Sequence, residues 1–239
     1  MPNSSKPALG FTTILATCGR FWISLAGVAR SRNAVHCNGT KKPLPIGSAT
    51  PGPRLKKADR LGAHLIFLDE SGFLLIPNVK RTWAPKGQTP KVGYWLKRKK
   101  ISAMSALAVS PKRKRVALYL QFRRRSFKGP DVVRFLQSLL RQLTGPGVLL
   151  WDAGPIHRHR VVKSFLQTRP QLHVHKFPGY APELNPAEYV WSQSDSTLAN
   201  SAPEEVEELQ GMLNSIKRRL RNSQSLLWSC IYASDLPWK

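Results

Sequence analysis

Residues 63–72 read AHLIFLDESG, a short apolar run that ends at Asp69 and is followed by a Glu-Ser-Gly stop. This pattern predicts a buried β-strand that carries an acid at its end. Residues 147–152, GVLLWD, repeat the pattern and end at Asp152. The second run does not alternate with polar residues, which is typical of a central strand covered on both faces. Adjacent parallel strands would bring Asp69 and Asp152 within reach of one metal ion.

The segments around these two runs alternate between strand and helix periodicity. The predicted elements are a hairpin over 101–109 and 115–122, an amphipathic helix over 131–143, a helix over about 157–168 with Val161 among its inward residues, a strand over about 172–177 and a long helix that begins near Ala202. The order β-hairpin-α-β-α-β predicts an α/β domain.

The chain before residue 61 is expected to be irregular. Four prolines and three glycines lie between positions 39 and 53, a density that disfavours helices and sheet ladders there. We therefore predict an irregular segment and linker over 1–60, a compact domain over 61–200 and a C-terminal helical extension over 201–239. The segment 1–60 shows no helix-turn-helix pattern.

The charge balance indicates a polyanionic partner. The 239 residues contain 38 Lys+Arg against 13 Asp+Glu, a formal net charge of +25. Such an excess is most simply matched by nucleic acid and argues against a metal-storage protein. Three cysteines without a C-x-x-C pair predict neither a disulfide framework nor a zinc knuckle, so a reducing cytoplasm is expected. Residues 11–29 have the length of a membrane span, but Arg20 at their centre argues against one.

The basic residues are concentrated in one stretch. Between Ser71 and Pro130 there are 16 Lys/Arg and no acid, which favours a face that follows DNA phosphates over an ordinary solvated surface. His157 follows Asp152 at a predicted helix start, close to any bound phosphate. The predicted DNA contacts are Lys97, Arg98, Lys99, Lys100, Arg113, Arg123, Arg124, Arg125, His157 and Arg158. Trp83 and Tyr94-Trp95 either stack on bases or pack internally; the sequence does not decide between the two.

A third acid for the site is Glu188. Asn185 is a good helix N-cap, Pro186 a good first helical residue, and Glu188 then falls in the first turn, where the helix dipole favours its charge. Three carboxylates are hard oxygen ligands suited to a pair of Mg²⁺ ions, about 3.5 to 4 Å apart in two-metal sites. Each acid alone could be a turn or capping residue, and Glu70 and Glu183 are the alternative candidates.

Four motifs occur in an order that resembles a known family. They are FLDESGF at 67–73, RTWAPKGQTP at 81–90, WDAGPIHR at 151–158 and YAPELNPAE at 180–188. Together they resemble the catalytic domain of bacterial insertion-sequence transposases related to the mariner superfamily. The resemblance implies a ribonuclease H-like fold, a mixed central sheet flanked by helices, and a D…D…E site formed by Asp69, Asp152 and Glu188. It also implies Mg²⁺-dependent cleavage at transposon ends, with Mn²⁺ as a substitute, and strand transfer into target DNA.

Two departures from the family pattern modify this expectation. The family usually has an N-terminal helix-turn-helix region, so we expect a truncated or frameshifted copy whose end recognition is impaired or supplied by a second chain. Residues 192–195, SQSD, stand where the family often has a basic residue. The resemblance further implies a homodimer acting on double-stranded DNA in the bacterial cytoplasm, at the nucleoid, without membrane attachment. The alternatives are a structure-directed nuclease of the same fold and an impaired remnant that only binds DNA.

Overall fold

A computed structural model describes residues 11–13, 52–86, 91–93, 99–179 and 181–238. The chain divides into two compact units, residues 1–45 with 79–93, and residues 46–78 with 94–239. In the first unit, strand β1 (Phe11–Thr13) pairs antiparallel with strand β3 (Trp83–Pro85). The second unit contains every other element named below.

The second unit is an α/β domain with the order predicted from the sequence. Its elements are α1 Gly52–Arg60, β2 His64–Leu74, β4 Lys100–Val109, β5 Val116–Arg123, α2 Gly129–Leu140, β6 Gly147–Trp151, a 3₁₀ helix Pro155–Arg158, α3 Arg160–Gln167, β7 Leu172–Lys176, a 3₁₀ helix Pro182–Leu184, α4 Pro186–Leu198, α5 Val206–Arg221 and α6 Gln224–Tyr232. Among the helices of this part of the chain, none is long and apolar enough to cross a membrane.

The five strands form a mixed sheet in the order β5-β4-β2-β6-β7. Strand β4 pairs antiparallel with β2 and with β5, whereas β6 lies parallel to both β2 and β7. The two apolar runs that end in aspartate are therefore adjacent parallel strands, as predicted. All five residues of β6 are buried, which confirms its central position.

Helices cover both faces of this sheet. Leu65 and Phe67 of β2 pack in a core with α1, α4, α5 and α6, while the intervening Ile66 and Leu68 pack with α2 and α3. Side chains alternate between the faces of a strand. Asp69 therefore continues the first series and Glu70 the second.

The first strand continues past its predicted stop. Glu70, Ser71 and Gly72 remain in β2 and pair with Met104, Ala103 and Ser102 of β4. The Glu-Ser-Gly sequence favours a turn locally, but ten paired positions with β4 outweigh that preference. The acids at this point thus lie within a strand and not in a turn.

Three further features differ from the sequence expectation. Helix α1 occupies the last part of the segment predicted to be irregular, and it buries Leu55 and Ala58 against the sheet. Its proline lies in the first turn, where a missing N–H is tolerated. In α3, Val161 was predicted to face inward and is exposed. Helix α6 lies within the helical extension predicted over 201–239, but its bounds were not predicted, because its apolar residues do not form a distinct stripe.

Candidate active site

Asp69 and Asp152 each lie just beyond the last residues through which the neighbouring strands β2 and β6 pair. The parallel pairing of β2 with β6 runs to Phe67 and Leu150, and an aspartate follows two residues later in each segment. Asp69 is buried, with 7% of its surface exposed, whereas the side chain of Asp152 is 56% exposed. The expected juxtaposition of the two acids is confirmed, with one carboxylate in the core and the other facing solvent.

The start of α4 brings Glu188 to these aspartates. The Asn185 side chain accepts a hydrogen bond from the Ala187 N–H at 3.2 Å, as expected of an N-cap. The other end of the same amide donates to the Leu68 carbonyl at 3.5 Å, which ties the helix start to β2 directly before Asp69. Glu188 occupies the first turn of this anchored helix.

The pKa of Asp69 depends on its burial and on three neighbouring acids. Burial raises the pKa well above its ordinary value, and the negative charges of Glu188, Glu70 and Asp152 raise it further. The hydrogen bond from Trp191 opposes this rise. Converging carboxylates that repel one another match the hard-oxygen ligand set that a divalent cation prefers, so these residues fit a Mg²⁺ or Mn²⁺ site.

Trp191 is a site residue that the sequence reasoning missed. Its indole N–H donates to Asp69 Oδ2 at 2.8 Å, and its ring packs edge-on against Phe73 with the centroids 6.0 Å apart. Trp191 follows Glu188 by three residues, a spacing that places both side chains on one helix face. This spacing was the feature of the sequence from which Trp191 could have been assigned to the site.

His157 links the second aspartate to Glu70. Its Nε2 atom lies 3.1 Å from Asp152 Oδ1 and 3.3 Å from Glu70 Oε2, and its ring stacks on Trp151 with the centroids 4.1 Å apart. Burial lowers the pKa of His157, but hydrogen bonds to Asp152 and Glu70 and the charges of both raise it to about 9. The imidazole is therefore protonated at neutral pH and bridges the two carboxylates as a cation.

Glu70, Asp152 and His157 also place one potential metal-ligating atom each within 4.8 Å of the others. A protonated imidazole cannot ligate a metal, so at neutral pH this trio is held by ion pairing. The buried position of His157 differs from the surface position expected of a phosphate contact, and its contact with DNA stays a prediction. Burial raises the pKa of Tyr189, and the charges of Asp235, Glu183 and Glu188 raise it further, whereas Glu183, the other alternative acid, is not among the charges that raise the pKa of Asp69.

Several of the predicted DNA-contacting arginines pair with acids from other parts of the chain. Arg123 and Arg125 each bind the buried Asp131 at 2.7 Å, and Arg134 binds the same carboxylate. The absence of compensating acids is thus a property of the stretch from 72 to 129, not of the folded chain.

The remaining predicted contacts are distributed over the surface. Arg124 pairs with Glu207 at 2.7 Å, Arg113 with Asp59 at 2.6 Å and Lys99 with Glu205 at 3.3 Å, while Lys100 and Arg158 are exposed. Lys97, Arg98 and Tyr94-Trp95 lie outside the described residues, and Trp83 is 64% exposed. For all of these, a contact with DNA stays a prediction.

Comparison with known families identifies the domain that carries this site. Residues 64–210, more than half of the chain, match the DDE superfamily endonuclease family. The chain belongs to the DDE endonuclease superfamily. The match includes Asp69, Asp152 and Glu188 and extends into α5.

Solved structures with a similar fold include complexes of the Mos1 mariner transposase. The Mos1 strand transfer complex is 19% identical, with a TM-score of 0.55, over 81% of this chain and 63% of that one. The Mos1 paired end complex with Mn is 17% identical, with a TM-score of 0.56, over 89% of this chain and 66% of that one. This DDE chain thus spans less than two thirds of either Mos1 chain, and the shared fold is ribonuclease H-like. A search of curated proteins finds no match.

Proposed function

We propose that this DDE endonuclease domain is a transposase that cuts DNA at transposon ends and joins it to target DNA. Asp69, Asp152 and Glu188 are the metal-binding catalytic residues. The observation that carries the proposal is that Asp69 and Asp152 follow the paired parts of two neighbouring parallel strands, and that Asn185 ties the helix start carrying Glu188 to β2, within a domain that matches the DDE family. These three residues would hold two Mg²⁺ ions, for which Mn²⁺ would substitute, and the ions would supply activation of the attacking hydroxyl and stabilisation of the leaving 3′ oxygen.

The chain's own residues prepare the site in two ways. Trp191 holds Oδ2 of Asp69, and Asn185 fixes the helix start that positions Glu188. Asp152 Oδ1 accepts a hydrogen bond from the Gly154 N–H at 2.8 Å and contacts His157. Fixed carboxylate orientations reduce the reorganisation that metal binding requires.

The partners follow from the charge and from the fold. A net charge of +25 favours double-stranded DNA, and the similar Mos1 structures are a strand transfer complex and paired end complexes. We further propose that the protein acts as a homodimer at the bacterial nucleoid, with end recognition supplied in part by a second chain. The basic residues that the sequence singled out supply phosphate contacts.

A plasmid assay tests the catalytic proposal. Purified protein is incubated with supercoiled plasmid and Mg²⁺ or Mn²⁺, beside an Asp152→Asn variant. We expect metal-dependent nicking that the variant lacks. Nicking that persists in the variant, or DNA binding by the wild type without nicking, would contradict the proposal. Joining of a labelled 3′ end to a second plasmid separates a transposase from a nuclease that only cuts.

A further inference from the structure

A groove along the edge strand β5 is lined by arginines from three elements. It encloses about 560 Å³, and its basic residues are Arg123 of β5, Arg134 of α2, Arg141 directly after α2, and Arg221 at the end of α5. Glutamine, serine and tyrosine side chains supply further hydrogen-bonding groups, and none of the described residues that line the groove is acidic. This lining suits an anion that accepts several hydrogen bonds.

The ion pairs beneath the groove leave it positively charged. Arg123 and Arg134 share the single carboxylate of Asp131 with Arg125, so three positive charges face one negative charge. Arg141 donates to Ser138 Oγ at 3.1 Å, a neutral partner. Burial lowers the pKa of Lys217, and the nearby charge of Arg221 lowers it further. Among the described residues, neither Arg141 nor Arg221 forms a salt bridge with an acid, unlike Arg123 and Arg134.

The groove begins level with the catalytic carboxylates. Asp69 pairs with Ser105 of β4, and Ser105 pairs with Leu120 of β5. Adjacent strands lie about 4.8 Å apart, so this row places β5 about 10 Å from Asp69 across the sheet. Gln121 and Arg123 follow Leu120 along β5, and their side chains lie in the groove on the face of the sheet that packs against α2, opposite to the face that carries Asp69.

The spacing of the arginines matches a nucleic-acid backbone. Arg134 and Arg141 are seven residues apart, which is two helical turns and about 10 Å on one helix face. Phosphates on one strand of duplex DNA advance by about 3.4 Å per step along the helix axis, so arginines this far apart can contact different phosphates of one duplex. An isolated phosphate would contact one such arginine, whereas a duplex backbone reaches both.

We propose that this groove binds the phosphate backbone of duplex DNA through Arg134, Arg141 and Arg221, at a site separate from the catalytic carboxylates. The inference deepens the proposed function and rests on it, since it assigns to the DNA substrate a second contact surface on the chain. Recognition is through phosphates, so the groove adds affinity without base specificity.

A charge-matched pair of variants tests this inference. Arg141→Gln combined with Arg221→Gln removes two groove charges and leaves the Asp131 ion pairs intact. Lys112→Gln combined with Lys114→Gln removes two exposed charges from the β4–β5 turn, which is not part of the groove lining. Binding to a labelled 30-base-pair duplex is measured without divalent ions as a function of salt, and thermal unfolding confirms that both variants fold.

The groove variant is expected to raise Kd about tenfold and to reduce the slope of log K against log salt by about 2, because two phosphate contacts are lost. The turn variant should change the slope by less than about 1. Equal losses of DNA affinity in both variants, or no DNA binding by the wild type, would overturn the proposal that the groove binds DNA. Displacement by polyglutamate as effective as by unlabelled duplex would overturn the assignment to DNA. A wild type that binds but does not nick would contradict the proposed catalysis and leave the groove standing.

Discussion

The indole N–H of Trp191 donates to Asp69 Oδ2 at 2.8 Å, and both side chains are buried. One turn of α4 thus supplies both Glu188 and the group that orients Asp69. Because Asn185 anchors the start of this helix to the Leu68 carbonyl, the two acids hold a fixed relation across β2 and α4. The hydrogen bond also opposes the rise in the pKa of Asp69 that burial and neighbouring acids cause.

Replacing Trp191 by Phe tests this relationship. The variant keeps an aromatic ring beside Phe73 and removes only the N–H donor. We expect metal affinity or cleavage rate to fall about 10- to 100-fold, the usual effect of losing a group that orients a metal ligand. The measurement is nicking as a function of Mn²⁺ concentration, with thermal unfolding as a check on folding. Trp228→Phe on α6, outside the site, is the matched control and should cleave like the wild type.

Replacing any of the three proposed metal ligands should abolish cleavage without destabilising the fold. Asp152→Asn and Glu188→Gln are expected to abolish cleavage with little change in the free energy of unfolding. Asp69→Asn should abolish cleavage and, without metal, increase the free energy of unfolding by about 1 kcal/mol, because it removes a buried charge among acids. Nicking and urea unfolding measure the two effects. An inactive Glu183→Gln beside an active Glu188→Gln would show that the third acid is Glu183.

Glu70 provides a test of which acids bind metal. Its side chain belongs to the other face of β2 and contacts His157, so we assign it to positioning Asp152 and not to ligation. Glu70→Gln retains a hydrogen-bond acceptor for the imidazole. Plasmid nicking should therefore be reduced in Glu70→Gln but remain measurable, unlike in Glu188→Gln. Complete loss in both variants at saturating Mn²⁺ would place Glu70 among the ligands.

The sequence predicted the parts of the site that depend on short-range patterns. The apolar runs before Asp69 and Asp152 specify two buried strands, and Asn185-Pro186 specifies the helix start that carries Glu188. Apolar runs and helix caps are local features, so the two strands and the helix start could be located without a structure, although the end of β2 could not.

The features of the site that the sequence did not predict depend on contacts between segments that are far apart in the chain. The bond from Trp191 to Asp69 spans 122 positions, and the partner of Arg124 is Glu207 on α5. The extension of β2 through Gly72 likewise depends on β4. Tertiary contacts decide such features, and a list of charges along the chain does not reveal which of them are neutralised.

The buried carboxylate of Asp131 gives the fold a defined dependence on pH. A hydrogen bond from Arg125 holds the pKa of Asp131 well below its ordinary value, with further contributions from Lys128, Arg134 and Arg123 and against the effect of burial. A carboxyl whose pKa is lower in the folded state stabilises the fold above its unfolded pKa of about 4. This stabilisation is lost as the pH falls through the lowered folded value. Asp131→Asn should therefore reduce the free energy of unfolding by about 2 kcal/mol at pH 7, and by progressively less below about pH 4.

Urea unfolding at a series of pH values from 7 downwards measures this dependence. Asp59→Asn is the control, because Asp59 also pairs with an arginine, Arg113, but its side chain is 61% exposed. An exposed ion pair contributes less than about 1 kcal/mol, so Asp59→Asn should change stability little at any pH. A loss in Asp131→Asn that is the same at pH 7 and at the lowest pH would show that packing, not charge, accounts for the role of Asp131. A loss that shrinks with acid would show that the arginines around α2 depend on this carboxylate for their positions in the fold.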